Sequence, residues 1–174
     1  AHGPASQQEA WRWSQFTTDA GLPPGRVEHL AEAADGTPWV ATDRQAAWFD
    51  GFRWHAVAAP DSARIQQLAP VDGGRLVAIA GGRLLSLDRD GFQRVALPES
   101  GADDSLIAVA PLGPDTLLVP ADRGILRVTP TTVDPFSTPA PPAIGHRNRY
   151  PLQRTGAGRV WYNTGAGAFV LEGD

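Results

Sequence analysis

The sequence contains no cysteine, no methionine and no lysine, and each absence narrows what the chain can be. Without cysteine there is no disulfide and no thiolate metal site, and the chain fits a reducing or an oxidising compartment equally well. All 15 basic residues are arginine, which we interpret as the codon bias of a GC-rich genome. Because not even the first residue is methionine, we expect the chain to be processed or cut from something longer.

Long apolar runs and excess positive charge are also missing. No run approaches the roughly 18 apolar residues of a membrane span, so we expect no membrane contact within this chain. The net charge of -4 argues against nucleic-acid binding. The first ten residues, AHGPASQQEA, are small and polar like the start of a mature exported protein. They predict a flexible tail over residues 1–10, and the folded domain is expected over 11–174.

What the sequence has in abundance is turn-forming residues. It holds 19 glycines and 16 prolines, with 42% hydrophobic and only 20% charged residues. Such a composition is typical of a folded chain that turns often. Short apolar segments between frequent turns favour an all-β architecture.

A repeat of about forty residues organises these segments. Four apolar stretches, GTPWVAT, GRLVAIA, DTLLVPA and GRVWYNT, centre on Trp39, Leu76, Leu117 and Trp161, which we expect to form the structural core of the units. An apolar strand start precedes each centre at a nearly constant distance, at Val27, Ile65, Leu106 and Tyr150. The units cover residues 27–57, 65–97, 106–137 and 150–174.

Each unit divides into about four short strands separated by tight turns. In the first unit, Asp35-Gly36 and Asp50-Gly51 are strong hairpin signals, because such turns need positive φ. Four antiparallel strands per repeat predict a β-propeller of about four blades. A β-sandwich with accidental regularity is the alternative, but the constant offset disfavours it.

The two ends of the repeat are complementary. The fourth unit stops after a third strand, and residues 11–17, WRWSQFT, alternate like an outer strand that could close the ring. Three outcomes stay open at this point. The chain could close as a four-bladed ring, two chains could pair as a homodimer, or the chain could be part of a larger propeller.

The stretch from Phe16 to Trp54 resembles the two-component regulator propeller repeat. Gly21-Leu22-Pro23 matches the opening of that repeat, Asp35-Gly36 its turn, Trp39–Thr42 its tryptophan core and Phe49-Asp50-Gly51 its close. The likeness is partial over Gly158–Leu171 and degenerate in between, and Asp43–Ala46 lacks the usual glycines. The resemblance implies a periplasmic or extracellular sensor region of a bacterial signalling protein, with a kinase or cyclase output domain outside this chain. Some members recognise carbohydrates.

Residue types that carry catalysis are sparse. The four histidines, His2, His29, His55 and His146, show no metal-ligand spacing. There is no GxSxG nucleophile motif and no loop with converging calcium ligands. We therefore expect no catalysis, no cofactor and no metal.

Candidate ligand residues follow from propeller geometry. The loop between the second and third strands shares one face with the loop to the next blade, and its candidates are Asp43, Arg44, Arg83, Asp122, Arg123 and Asn163. The three arginines could hold an anionic ligand, although a solvated rim is the simpler interpretation. A second candidate loop, GHRNRY, contributes His146, Arg147, Asn148 and Arg149. It could equally be a polar connector.

These patterns favour a non-catalytic propeller that binds an unknown small molecule or carbohydrate. Two other hypotheses are a propeller lyase of the streptogramin-inactivating type and a purely structural dimerisation platform. The lyase would need a catalytic histidine and a metal near the axis, and the lone His146 makes a weak candidate.

Overall fold

A computed structural model gives the chain an all-β fold. It describes residues 14–71, 75–95, 106, 108–113, 115–121, 124–129, 131–136, 152–155, 159–164 and 167–171. Strands in these ranges form four antiparallel sheets. Each sheet is a meander in which strands that follow one another in sequence are also hydrogen-bonded neighbours. The chain therefore builds one sheet before it begins the next.

The four sheets are the blades of a β-propeller, which confirms the predicted fold. Blade 1 contains β1 (His29–Glu32), β2 (Pro38–Ala41), β3 (Gln45–Phe49) and β4 (Trp54–Ala58). Blade 2 contains β5 (Ile65–Pro70), β6 (Leu76–Ala80), β7 (Arg83–Asp88) and β8 (Gly91–Arg94). Blade 3 contains β9 (Ala110–Gly113), β10 (Thr116–Ala121), β11 (Gly124–Val128) and β12 (Val133–Pro135). Blade 4 has three strands in the described residues, β13 (Leu152–Arg154), β14 (Val160–Thr164) and β15 (Gly167–Leu171).

The predicted strand starts are met unevenly. Ile65 begins β5, whereas Val27 lies before β1 and exposes 40% of its surface. Leu106 is buried but lies before β9, and Tyr150 is outside the described residues. The repeat therefore located the blades better than it located the first residues of their strands.

Aspartate and glycine form the turns of blade 1 as the sequence predicts. In the turn between β1 and β2, the Asp35 carboxylate accepts the Thr37 N–H at 2.9 Å, and Gly36 has φ +81°. Between β3 and β4, the Asp50 carboxylate accepts the N–H groups of Phe52 and Arg53, both at 2.8 Å. These side chains satisfy backbone donors that a tight turn leaves unpaired.

Apolar clusters fill the spaces between successive blades. One cluster joins blades 1 and 2, a second joins blades 2 and 3, and a third joins blades 3 and 4; their largest members include Trp39, Leu76, Leu87, Ile79, Leu106, Val119, Leu118, Leu152 and Tyr162. We call the side of a blade that packs on the next blade its forward face, and the other side its backward face. Trp39 lies on the forward face of blade 1 and Val40 on its backward face.

The turn that follows the second strand of each blade provides a common reference point from which the four blades can be aligned residue by residue. The residues that close it are Thr42, Ala80, Ala121 and Thr164. Counting back three residues from each gives the equivalent positions Trp39, Val77, Leu118 and Trp161. The sequence alignment placed Leu76 and Leu117 at this position, one residue early. A slip of one residue moves a side chain to the opposite face of the sheet, so Leu76 and Leu117, both buried, lie on backward faces.

Trp161 is not a core residue, contrary to the prediction. It occupies the position of Trp39, but its side chain is 43% exposed whereas Trp39 is 0% exposed. The reason is that blade 2 covers the forward face of blade 1, while no described blade covers the forward face of blade 4. The buried aromatic of β14 is the next residue, Tyr162, which faces blade 3.

The segment before β1 covers the backward face of blade 1. Phe16 contacts Phe49 and Trp54, with ring centroids 5.0 and 5.9 Å apart. Leu22 packs in the same cluster. Between them, Gly21 has φ +84° and lies so close to Trp54 that a Cβ would come within 2.2 Å of its carbonyl oxygen. The Gly-Leu-Pro opening of the repeat is thus the point at which the chain docks on blade 1.

The closing strand that the sequence predicts over residues 11–17 is described only from residue 14 onward. Residues 14–17 carry no strand assignment, and Phe16 packs on blade 1 and forms no ladder with blade 4. Residues 11–13, and the predicted tail over 1–10, lie outside the described residues. The closing strand over residues 11–17 therefore stays a prediction.

The described blades form an open arc. The inner strands of neighbouring blades touch in the pairs β1–β5, β5–β9 and β9–β13, but no comparable contact joins β13 to β1. Among the described residues, no helix is long and apolar enough to span a membrane.

Candidate functional site

The loops at one end of blade 1 are tied together by backbone hydrogen bonds. This end, which we call the cleft end, is where β2 turns into β3 and where β4 leads to β5. The Ala59 N–H donates to the Arg44 carbonyl at 3.0 Å, and the Ile65 N–H donates to the Asp43 carbonyl at 2.8 Å. The β2–β3 turn is therefore fixed against the connection to blade 2.

A cleft of about 400 Å³ opens between these loops and the segment that leads into β1. Its walls come from three stretches of the chain, and the lining residues are Pro24, Gly25, Arg26, Glu28, Thr42, Asp43, Arg44, Gln45, Ala58, Ala59 and Ser62. The volume is at the lower end of the range for small-molecule sites.

Arginine and acidic side chains alternate around the cleft. One oxygen of the Asp43 carboxylate lies 2.9 Å from the Nε of Arg64, and the other lies 3.4 Å from the Nε of Arg44. Arg26 lies 3.8 Å from Glu28. Because both ion pairs of Asp43 use Nε, the terminal amino groups of Arg44 and Arg64 stay available to a ligand. A guanidinium group held in this way can form a bidentate bond with a carboxylate.

The connection from blade 1 to blade 2 has an unusual backbone at the rim of the cleft. Asp61 and Ser62 both have φ of 52°, in the left-handed region that residues other than glycine rarely adopt. Ser62 lines the cleft, and the Asp61 carboxylate lies 3.8 Å from Arg83 of blade 2. Backbone strain of this kind is concentrated at binding and switch sites in proteins.

The structure brings some of the predicted ligand residues together. Asp43 and Arg44 line the cleft, and Arg83 begins β7 at the same end of blade 2. Asn163 lies near the end of β14, exposed, beside the corresponding turn of blade 4. The remaining predicted residues, Asp122, Arg123, His146, Arg147, Asn148 and Arg149, lie outside the described residues.

Sequence reasoning missed the residues that the neighbouring loops contribute. Arg26 and Glu28 precede β1, and Ser62 and Arg64 lie between β4 and β5. The available signal was the rule that the interblade loop shares a face with the β2–β3 turn. Applying it to residues 59–64 would have added Ser62 and Arg64 to the candidates.

The opposite end of blade 1 carries a different cluster, which holds blades 1 and 2 together. Trp48 stacks on His55 with ring centroids 4.3 Å apart, and the Arg89 guanidinium of blade 2 lies 5.0 Å from the centre of the Trp48 ring. Arg89 also donates to Asp35 at 2.9 Å and to the Thr37 hydroxyl at 2.8 Å. We interpret this cluster as a structural clamp because Arg89 is paired with Asp35 and Thr37, and His55 is paired with Asp50.

Two carboxylates of this clamp are stabilised in the charged form. Hydrogen bonds from His55 and from the Arg53 and Phe52 amides hold the pKa of Asp50 well below its usual value of 3.8. The Thr37 amide and hydroxyl, with Arg89 nearby, lower the pKa of Asp35. Hydrogen bonds to a charged form favour that form.

Within the described ranges, no group of three or more histidine and acidic side chains is placed to hold a metal ion. Of the two described histidines, His55 is bonded to Asp50 at the end away from the cleft. His29 lies in β1.

No protein-family model and no curated protein sequence matches this chain. Solved structures do match it. One is the extracellular domain of the hybrid two-component system BT3049 from B. thetaiotaomicron, with a TM-score of 0.59 and 12% identity over 92% of this chain and 30% of that one. Another is the extracellular domain of BT4673 from the same organism, described as a one-component system, with a TM-score of 0.55 and 18% identity over 83% of this chain and 20% of that one.

A streptogramin B lyase is similar in the same way, with a TM-score of 0.54 and 16% identity over 81% of this chain and 52% of that one. The fold therefore resembles those of the extracellular domains of these two signalling systems and that of a lyase. At these identities the likeness concerns the fold alone. The chain spans between a fifth and about half of the length of these solved chains.

Proposed function

We propose that this chain is a non-catalytic, ligand-sensing propeller from the periplasmic or extracellular region of a bacterial signalling protein. The observation that carries the proposal is the cleft at the end of blade 1. There, the segment before β1 and the β2–β3 turn place Arg26 and Arg44 around a space large enough for a small molecule, and Arg64 of the third loop is paired with Asp43. The fold likeness to extracellular domains of signalling systems supports the location and the role.

The chemistry of the cleft favours a ligand with a carboxylate and hydroxyl groups. Arg26 and Arg44 balance Glu28 and Asp43 in the lining of the cleft, and Arg64 adds a positive charge beside Asp43. Charge-assisted bonds from arginine to a carboxylate are stronger than neutral ones. A sugar acid fits this description, and binding would be transmitted to an output domain outside this chain.

The test is a thermal-shift and calorimetric titration of the purified chain with glucuronate, glucose and tartrate. We expect saturable binding of glucuronate or tartrate, and at least a tenfold weaker response to glucose. Arg44→Ala should abolish the response. Arg53→Ala should leave it unchanged, because Arg53 lies at the opposite end of the blade and the substitution removes the same charge.

Three results would count against this proposal. Absence of binding to all three compounds would remove the sensing role for this cleft. Equal binding of glucose and glucuronate would keep a sugar site but remove the role of charge. Binding that Arg44→Ala does not affect would place the ligand elsewhere on the chain.

A lyase is the second candidate, and the match to streptogramin B lyase is the observation that favours it. His55, one of the two described histidines, is held by Asp50 and Trp48 in the clamp, away from the cleft. We therefore expect no turnover when the chain is incubated with a streptogramin B antibiotic and divalent metal. Cleavage of the antibiotic that depends on added metal would contradict the sensor proposal and support the lyase.

A further inference from the structure

The two ends of the four-blade arc have complementary defects. Blade 4 has three described strands, and β15 is its outermost strand, with no ladder partner on its outer edge among the described residues. At the other end, residues 14–22 lie on the backward face of blade 1, where the outer part of a preceding blade would pack. Within the described ranges, blade 4 lacks an outer strand, and the backward face of blade 1 carries a segment without inner strands.

Exposed apolar side chains are concentrated at these same two ends. On blade 4, Trp161 and Val170 are directly paired across β14 and β15 and are 43% and 39% exposed. On blade 1, Leu30 pairs with Val40 on the backward face and is 75% exposed, because residues 14–22 reach the outer strands but leave β1 uncovered. Apolar patches of this kind mark interaction surfaces.

The equivalence between Trp161 and Trp39 indicates what kind of surface fits on blade 4. Trp39 is fully buried because the backward face of blade 2 packs on it. Trp161 stands at the same position of its own blade, so the surface that fits on it is the backward face of another blade. Within this chain, the only backward face among the described blades that is not already covered by a blade is that of blade 1.

We propose that a second copy of this chain docks its blade 1 on the forward face of blade 4. The segment before β1 of that copy then lies beside the open edge of β15, where a fourth strand belongs. Repeating the contact by two-fold symmetry joins both ends and gives a ring of eight blades. That number lies within the usual range of four to eight for propellers, and closure removes both exposed sheet ends.

The proposed interface has two different sides, and substitutions can test each side separately. Each contact uses two different surfaces, one on blade 1 and one on blade 4, so it is heterologous and closes only if the rotation fits. The mass of the purified chain by light scattering should be twice 18.5 kDa. Leu30→Glu or Trp161→Arg should each shift the mass to a single copy. Gln93→Glu should not, because Gln93 is exposed on β8 of blade 2, which lies at neither end of the arc.

Mixing the two interface variants separates this arrangement from a symmetric contact. A pair made of one Leu30→Glu chain and one Trp161→Arg chain keeps one unaltered contact, between the normal blade 4 of the first and the normal blade 1 of the second. We expect the mixture to recover particles of double mass that neither variant forms alone. A failure to recover them would overturn the heterologous arrangement.

Cross-linking tests the position of the segment before β1. Since the sequence has no cysteine, Gln15→Cys in one chain and Ala168→Cys in another can be joined only to each other or to their own kind by a bis-maleimide. We expect a mixed cross-linked pair, and none when Gln93→Cys, on β8 of blade 2, replaces Gln15→Cys. A single-copy mass at every concentration would overturn the proposal, and so would an open series of larger particles, since either result excludes a closed ring of two.

Discussion

The side-chain amide of Gln67 forms two hydrogen bonds with the backbone of Val109. Its Nε2 donates to the Val109 carbonyl at 2.8 Å, and its Oε1 accepts the Val109 N–H at 2.9 Å. Gln67 lies on the inner strand of blade 2, and Val109 directly precedes the inner strand of blade 3. Both residues are buried, so this side chain takes the place of a backbone partner between two blades.

Replacing Gln67 by alanine should destabilise the chain by about 2–4 kcal/mol, because it leaves a buried N–H and a buried carbonyl without partners. Chemical denaturation monitored by tryptophan fluorescence measures the change. Gln93→Ala is the matched control, since Gln93 is exposed on β8, and its effect should stay within about 0.5 kcal/mol. Equal effects of the two substitutions would show that the bonds to Val109 contribute nothing to stability.

Trp39 and Trp161 occupy equivalent positions in blades 1 and 4, so replacing each of them compares a buried tryptophan with an exposed one. Trp39→Ala removes a fully buried ring and should cost about 3–5 kcal/mol. Trp161→Ala, measured at a dilution where the chain is a single copy, should cost less than half as much, because its side chain is 43% exposed. A similar loss for both would mean that the forward face of blade 4 is covered within one chain.

Substitutions at Gly21 and Gly36 distinguish the effect of steric overlap on stability from the effect of backbone strain. Both have positive φ, of +84° and +81°, but an added Cβ meets the Trp54 carbonyl oxygen at 2.2 Å only at Gly21. Gly36→Ala should cost about 1–2 kcal/mol for the left-handed conformation. Gly21→Ala should cost more and should release Phe16 from blade 1, which limited proteolysis of the N-terminal segment would detect. Equal proteolysis of both variants would contradict the docking of this segment.

The bond between Asp50 and His55 should make stability depend on pH in the acid range. The folded-state pKa of Asp50 is lowered, first by the His55 hydrogen bond and then by the Arg53 and Phe52 amides. Its contribution is therefore present above the unfolded pKa of about 3.8 and is lost as the pH falls through the folded pKa. We expect Asp50→Asn to lower the melting temperature at pH 7 and to differ less from the parent chain below pH 3.8.

The control for this pH dependence is Asp90→Asn. Asp90 is exposed in the β7–β8 turn, where its own amide donates to Asp88. The difference between the parent chain and this variant should be small, because the Asp90 side chain is exposed. A constant effect of Asp50→Asn over the same range would exclude the linkage.

Arg89 should not be replaceable by lysine. Its planar guanidinium lies over Trp48 while it donates to Asp35 and Thr37. Lysine keeps the charge but has a compact ammonium group that cannot repeat this arrangement. Since Arg89 and Asp35 are about half exposed, we expect Arg89→Lys to cost about 1 kcal/mol. Arg53 lies in an exposed turn, so Arg53→Lys should leave stability unchanged. If Arg89→Lys also left stability unchanged, the clamp would not contribute to the stability of the chain.

The sequence determined the blades of this protein because turn chemistry and strand alternation are local. Asp35-Gly36 and Asp50-Gly51 form the predicted turns, and the repeat of about forty residues located all four sheets. The tertiary structure alone decided which face each strand buries, since a shift of one residue reverses the faces and Leu76 and Leu117 were aligned one residue early. It also decided that Trp161 is exposed, because the burial of a residue at this position depends on whether a neighbouring blade covers it. The cleft depended on tertiary structure for a similar reason: Arg26, Asp43 and Arg64 are separated along the chain, and only the packing of three loops brings them together.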